Sequence, residues 1–151
     1  MLLLGRWLSG RKQRFEYFSI LLMNPNITGS ITETKILLKA LECNYIISIP
    51  YGGHNRYDQI WDKDGKLIRI QIKTSRWKDK NHKSIIFSCY SVSNGHKHIY
   101  TKKDVDYFAT YWNDKCYLIP ISDCKIEKTL WLEPPKNKLK KCSYAKDYEL
   151  I

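Results

Sequence analysis

Residues 56–75 constrain the fold more than any other stretch of the chain. Asp62-Lys63-Asp64-Gly65 is a hairpin turn signal, because Asp and Gly tolerate the positive φ angles of tight turns. Beyond it, Ile68, Ile70, Ile72 and Thr74 alternate with Arg69, Gln71, Lys73 and Ser75. A period of two places each set on its own side of a strand, giving one apolar and one polar face. If Asp64-Gly65 forms a two-residue turn, Lys63 faces Lys66 and Asp58 stands opposite Gln71. Opposed side chains on one sheet face have Cβ atoms about 5 Å apart. Lys73 is the diagonal neighbour on that face. A three-residue turn would shift the pairing by one but keep Asp58 and Gln71 neighbours.

The hairpin therefore converges a carboxylate, an amide oxygen and an ammonium. A hard cation such as Mg²⁺, or Mn²⁺ in its place, takes oxygen ligands from a few protein groups and keeps several waters. Asp58 offers charge, Gln71 a neutral oxygen and the Ile72 backbone carbonyl a further one. Such a centre can activate water and stabilise charge on a phosphate, with Lys73 orienting that water or neutralising the developing charge. The bland alternative stays open: a solvated strand carboxylate, with Gln71 and Lys73 on the wet face of an antiparallel sheet.

The charge balance bears on the choice. With 26 Lys+Arg against 15 Asp+Glu in 151 residues, the formal charge is +11, which favours a polyanionic partner. Nucleic acid leads, since phosphate neutralisation drives such binding. An anionic membrane is the rival, but no basic amphipathic helix stands out and no stretch approaches transmembrane length. Cys43, Cys89, Cys116, Cys124 and Cys142 are scattered and odd in number, without a C-x-x-C pair. Reduced thiols and an intracellular setting, cytoplasm or organelle matrix, fit that pattern better than disulfides or a Cys-type zinc site. Apolar residues precede the first positive charges, the reverse of a secretory signal.

Residues 1–23 read as an N-terminal extension of uncertain order, ended by a break at Asn24-Pro25-Asn26, with a domain over 24–151. Ser30-Ile31-Thr32-Glu33 reads as a capping box. It opens a helix with Thr34, Leu37, Leu38 and Leu41 on one face, stopping near Cys43-Asn44. Glu33 has two readings of equal weight, the cap or a reach toward the cation. Short strands are expected over 45–50, 84–89, 105–112 and 115–120, and polar loops over 76–83 and 93–103. Trp61 and Trp112 read as core. Trp77 is read equally as a DNA wedge or an exposed rim aromatic.

Arg56-Tyr57-Asp58 followed by Arg69-Ile70-Gln71-Ile72-Lys73-Thr74 resembles the PD-(D/E)XK nuclease pattern. It is closest to the group I intron-associated homing endonucleases of that superfamily, in which Gln replaces the usual second acid. Tyr57 stands where the motif's Pro would be. The resemblance continues through Val105–Ala109, Tyr117–Pro120, Leu132–Asn137 and Asp147–Leu150, so it covers about Gly29 to the end. It implies an α/β, restriction-endonuclease-like fold, a mixed β-sheet flanked by helices. It also implies Mg²⁺-supported cleavage of double-stranded DNA, with Glu33, Asp58, Gln71 and Lys73 as catalytic set. Of these, Glu33, Asp58 and Gln71, with the Ile72 carbonyl, would hold the metal.

Lysine and arginine clusters beside the catalytic strand (Arg76, Lys78, Lys80, Lys83) and near the C-terminus (Lys136, Lys138, Lys140, Lys141) are the candidate DNA contacts. A chain this short binding a long site is expected to act as a homo-oligomer, a dimer or tetramer. Competing readings are a structure-specific nuclease, such as a Holliday junction resolvase, and a catalytically inactive DNA-binding module.

Overall fold

A computed structural model describes residues 24–53, 55–78, 80, 82–135 and 142–151. Lys136, Lys138, Lys140 and Lys141 and the 1–23 extension lie outside the described residues. The chain groups into two compact units, residues 1–31 and 32–151.

Helix α1 spans Pro25–Glu42 and crosses that division. Its start corrects the expected one. Asn24 is the cap, its Oδ1 accepting from the Asn26 amide at 3.0 Å, and Pro25 takes the first helical position. There its missing N–H and fixed φ are harmless. Asn24-Pro25 thus begins the helix that it was expected to precede as a break. Ser30 lies inside the helix, its hydroxyl donating to the Asn26 carbonyl at 3.0 Å, so the capping box is not formed. The buried face is also rotated from the expected one. In the second unit, Thr32, Ile36 and Ala40 point inward, while Leu38 and Leu41 are exposed. Asn44, at φ 63°, ends the helix near its expected stop.

A five-stranded mixed sheet forms the centre of the second unit. Its strands are β1 (Ile46–Ser48), β2 (Gln59–Lys63), β3 (Lys66–Ile72), β8 (Tyr107–Trp112) and β9 (Lys115–Pro120), in that order across the sheet. The β2–β3 hairpin has the expected register, with Lys63 facing Lys66 and Gln59 facing Ile70. Asp64 and Gly65 carry φ of 56° and 79°, the two positive values of a tight two-residue turn. Strand β3 pairs in parallel with β8, the Gln71 position beside Phe108. β8 and β9 form a hairpin through Asn113-Asp114.

Each face of this sheet is covered. On one, Trp61, Ile70, Ile72, Ala109 and Cys116 pack with Ile36 and Ala40 of α1. On the other, Phe108 and Ile119 pack with Ile85, Phe87 and Leu130. The last three belong to a second sheet of β4 (Arg76–Trp77), β5 (Ser84–Ser88) and β10 (Glu127–Trp131), ordered β10-β5-β4. Arg76 and Trp77 are therefore strand residues, not part of a loop. Trp77 packs edge-on against Trp112 at 4.6 Å and stacks on His82, which makes it a packed, half-buried ring. The 93–103 region is corrected too. Strands β6 (Tyr90–Ser93) and β7 (His96–Ile99) form a hairpin through Asn94-Gly95. All five cysteines are free thiols. Among the described residues no helix is long and apolar enough to cross a membrane.

Candidate active site

Strand alternation sends Arg69, Gln71 and Lys73 to the side of β3 away from α1, toward the second sheet. Asp58, one residue before β2, extends the hairpin pairing, its amide donating to the Ile70 carbonyl at 2.8 Å. Its Oδ2 accepts from both the Gln71 Nε2 and the Ile72 amide, each at 2.6 Å. Among the described residues both of these bonds fall on Oδ2 and none on Oδ1.

Lys73 follows β3, its amide still paired to the Ala109 carbonyl at 2.9 Å. Its Nζ donates to the Tyr90 carbonyl at 3.1 Å and lies 4.9 Å from the centre of the Tyr100 ring. Sequence reasoning missed these two groups. Both border the β6–β7 hairpin, whose Asn94-Gly95 turn is the signal that brings positions 90 and 99 together. Glu33, exposed on α1, is close enough to Asp58 to feel its charge. The structure thus gathers all four sequence-derived residues, Glu33, Asp58, Gln71 and Lys73, around one corner of the sheet.

The environment is drier than the sequence suggested. Gln71 is 8 % exposed, and Asp58 and Lys73 are half-buried. The face is not the wet side of an antiparallel sheet, because the second sheet packs on Phe108, the strand neighbour of Gln71, and Tyr90 and Tyr100 stand against Lys73. Burial pushes the Asp58 carboxyl up, although the hydrogen bonds from Ile72 and Gln71 and the Lys73 charge oppose this. The Glu33 carboxyl, partly shielded although the residue is exposed, is pushed up by that desolvation and then by the Asp58 charge. Burial pushes Lys73 down, with Asp58 acting the other way. These shifts mean that charge is concentrated where water is scarce.

A second polar cluster braces the strand. Arg69 forks onto Asp106, with Nε to Oδ2 at 3.1 Å and Nη2 to Oδ1 at 3.0 Å. It also donates to the Lys102 and Lys103 carbonyls. This clamp fixes the start of β8 beside β3. The cleft of about 240 Å³ lined by Tyr45, Lys63, Lys66, Ile68, Tyr107 and Leu118 lies toward the turn end of the hairpin and holds none of the site residues.

The candidate DNA contacts that are described lie on the second sheet and its connection. Arg76 pairs with Glu127 at 3.4 Å, Lys78 donates to Thr129 at 3.0 Å and Lys83 pairs with Glu133 at 3.2 Å. Lys80 is exposed. Such exposed pairs are weak, about 0–1 kcal/mol, and a phosphate can displace the carboxylate.

Among the described residues no three His, Cys, Asp or Glu side chains cluster at metal-holding distance. The oxygen donors present are instead the Asp58 carboxylate and the Ile72 carbonyl, with Glu33 beside them. Gln71 turns its Nε2 to both the Asp58 carboxylate and the Ile72 carbonyl, and its amide oxygen joins the set only after a half-turn of the amide. Their chemistry fits a hard divalent cation. Both carboxyls are pushed up mainly by burial, Glu33 also by the Asp58 charge, and a bound cation would favour their charged forms.

The fold resembles the solved structure of a bacterial homing endonuclease, I-Ssp6803I, with a TM-score of 0.67 at 18% identity, over 84% of this chain and 89% of that one. No curated protein matches the sequence. The family model for PD-(D/E)XK endonuclease matches residues 23–151, so the chain, with its hairpin acid and its Gln-x-Lys strand, belongs to the PD-(D/E)XK endonuclease family.

Proposed function

We propose that the chain is a metal-dependent, site-specific endonuclease of the intron-homing type, hydrolysing phosphodiester bonds in double-stranded DNA. One observation carries this reading. Asp58, Gln71 and Lys73 share one roofed face, with the Gln71 amide 2.6 Å from the Asp58 carboxylate and the Lys73 charge acting on it.

Asp58, Gln71 and the Ile72 carbonyl would hold Mg²⁺ or Mn²⁺, with Glu33 assisting from α1; the bound cation supplies water activation and charge stabilisation on the phosphate. Gln71 donates its Nε2 to Asp58, an arrangement suited to two groups facing each other directly. Presenting Oε1 instead requires a half-turn of the amide, which the terminal torsion permits. Lys73 is held from behind by the Tyr90 carbonyl and the Tyr100 ring. Its ammonium is thereby aimed along the site, where it orients the attacking water and neutralises charge building on the phosphate oxygens. Water oxygen bonds to phosphorus and gives up a proton as the bond to one sugar oxygen breaks, and that departing oxygen gains a proton in exchange. Partial burial of Asp58 and Lys73 weakens the screening of these charges by bulk water.

Two cuts on two strands call for two sites, so the active form is proposed to be a homo-oligomer, a dimer or tetramer. Exposed apolar side chains support it: Leu38 and Leu41 on α1, and Ile46 and Ile49 on and beside the edge strand β1.

Purified protein should cleave a linear duplex bearing its site in Mg²⁺. Asp58→Ala and Lys73→Ala should abolish cleavage while keeping most of the DNA affinity. Persistent nicking by Asp58→Ala would end this reading, and sequence-independent cutting of four-way junctions would move the chain to the resolvase class.

A further inference from the structure

The β6–β7 ribbon pairs with no other strand among the described residues. Both its ends root at the candidate active site. Tyr90 opens it and accepts the Lys73 ammonium through its carbonyl. Ile99 closes it and leads into Tyr100, whose ring lies beside the same ammonium. Tyr100 N donates to the Cys89 carbonyl at 3.2 Å, which clamps the base. The far end is a tight turn, with Asn94 at φ 49° and Gly95 at φ 77°.

Between root and tip the ribbon is dressed for a polar, anionic partner. Every residue from Val92 to Lys97 is exposed. No carboxylate occurs between Tyr90 and Tyr100, and Lys102 and Lys103 follow on the return. The register puts Val92 beside Lys97 on one face and Ser93 beside His96 on the other. The Lys97 ammonium sits 3.8 Å from the centre of the Tyr90 ring, which holds the long side chain along the ribbon. Val92 is 64 % exposed.

A ribbon with four residues per strand is about 13 Å long. The B-DNA major groove, about 12 Å wide, admits a two-stranded ribbon. We propose that β6–β7 enters the major groove beside the phosphate held at Lys73 and reads base edges through Asn94, His96, Lys97 and Val92. This rests on the reading of the site as a DNA nuclease and names the element that selects the sequence. Asn94 is suited to adenine N6 and N7, Lys97 to guanine O6 and N7, and the Val92 methyls to the thymine methyl group. With one end fixed at the catalytic lysine, the ribbon reaches about four base pairs at 3.4 Å rise. The pairs it reads must therefore lie within a few steps of the cut.

The test is a binding-site selection in EDTA from duplexes with a randomised core, using the wild-type chain and an N94A/H96A/K97A variant. The wild type should enrich a motif, and the variant should lose preference at a few contiguous positions while keeping the others. Placing 7-deazapurines, which lack the N7 acceptor, at those positions should weaken wild-type binding about tenfold and leave the variant nearly unchanged. Should the variant fail to fold by circular dichroism, 7-deazapurine scanning of the wild-type complex decides alone. An identical motif from both proteins, no enrichment by the wild type, or no sensitivity to 7-deazapurine near the cut would overturn the proposal. Adding Mg²⁺ to the selected duplex tests the nuclease reading separately. Ribbon-dependent selection without cleavage would sink that reading and leave the groove contact standing.

Discussion

The two faces of β3 are buried to similar depth by opposite means. Toward α1, Ile70 and Ile72 join Trp61, Ile36 and Ala40 in a dry apolar cluster. Away from α1, Gln71 is as inaccessible as Ile72, yet it is an amide set against a half-buried carboxylate, with a half-buried ammonium beyond. On the first face, removing apolar surface from water stabilises the fold. On the second, desolvated charges are incompletely paired, which costs stability. Alternation in this strand separates apolar interior from polar interior, not inside from outside. The strand is anchored by one side so that the other can hold reactive groups in place.

Breaking the apolar side should have the largest effect. Trp61→Ala is expected to lower stability by about 3–5 kcal/mol, measured by urea unfolding, because it empties the centre of the α1 cluster. A loss under about 1 kcal/mol would mean that the anchoring face is not what holds the strand.

Next comes Lys73→Met on the polar side, which should separate activity from stability. Cleavage should fall by at least about 10²–10³-fold. Metal-free stability should rise by up to about 1 kcal/mol, since a half-buried ammonium is replaced by an apolar side chain of similar length. A lower unfolding midpoint for this variant would contradict the claim that the polar face is strained.

The pH dependence sharpens the contrast further. The raised pKa values of Asp58 and Glu33 mean that folding favours their protonated forms. Their contribution is present below the unfolded carboxylate range and is lost as pH rises through the raised folded values. Lys73, pushed down, has the opposite sign: its contribution is present at high pH and is lost as pH falls through the lowered value. Mg²⁺ should therefore stabilise the fold more at neutral pH than near pH 4, by up to about 2.7 kcal/mol at a hundred times its dissociation constant, read as a larger rise in melting temperature. Asp58→Asn should remove most of that gain. An equal Mg²⁺ effect at both pH values would place the cation elsewhere.

The smallest stability effect should come from Arg76→Ala on the outer sheet. Its exposed pair with Glu127 predicts less than about 0.5 kcal/mol. Binding to duplex DNA should still weaken, and its salt slope should fall by about 1 if the guanidinium meets a phosphate.

The sequence is legible where near neighbours decide the outcome. Asp64-Gly65 determines the β2–β3 register, and that register alone places Asp58 beside Gln71. Asn44 marks the helix end, and Asn113-Asp114 the β8–β9 turn. The α1 start is not legible, because Asn24-Pro25 suits either a break or a capped first turn, and only the continuing hydrogen bonds distinguish the two. Its buried face is not legible either, because Ile36 and Ala40, less conspicuous than Leu38 and Leu41, are the residues that fit closely against the sheet. The β6–β7 hairpin is signalled by Asn94-Gly95 but masked by the polar residues around it.

By itself, then, the sequence determined the hairpin, its register and the trio of groups it presents, because turn chemistry and strand alternation act over a few residues. The tertiary structure alone decided that this face is roofed, that Tyr90 and Tyr100 hold the lysine, and that Glu33 comes near Asp58. Tyr90 and Tyr100 lie 17 and 27 residues from Lys73 in the chain, and Glu33 lies 25 residues from Asp58. No local pattern encodes those meetings. They follow from which surfaces bury best against one another once the whole chain has collapsed.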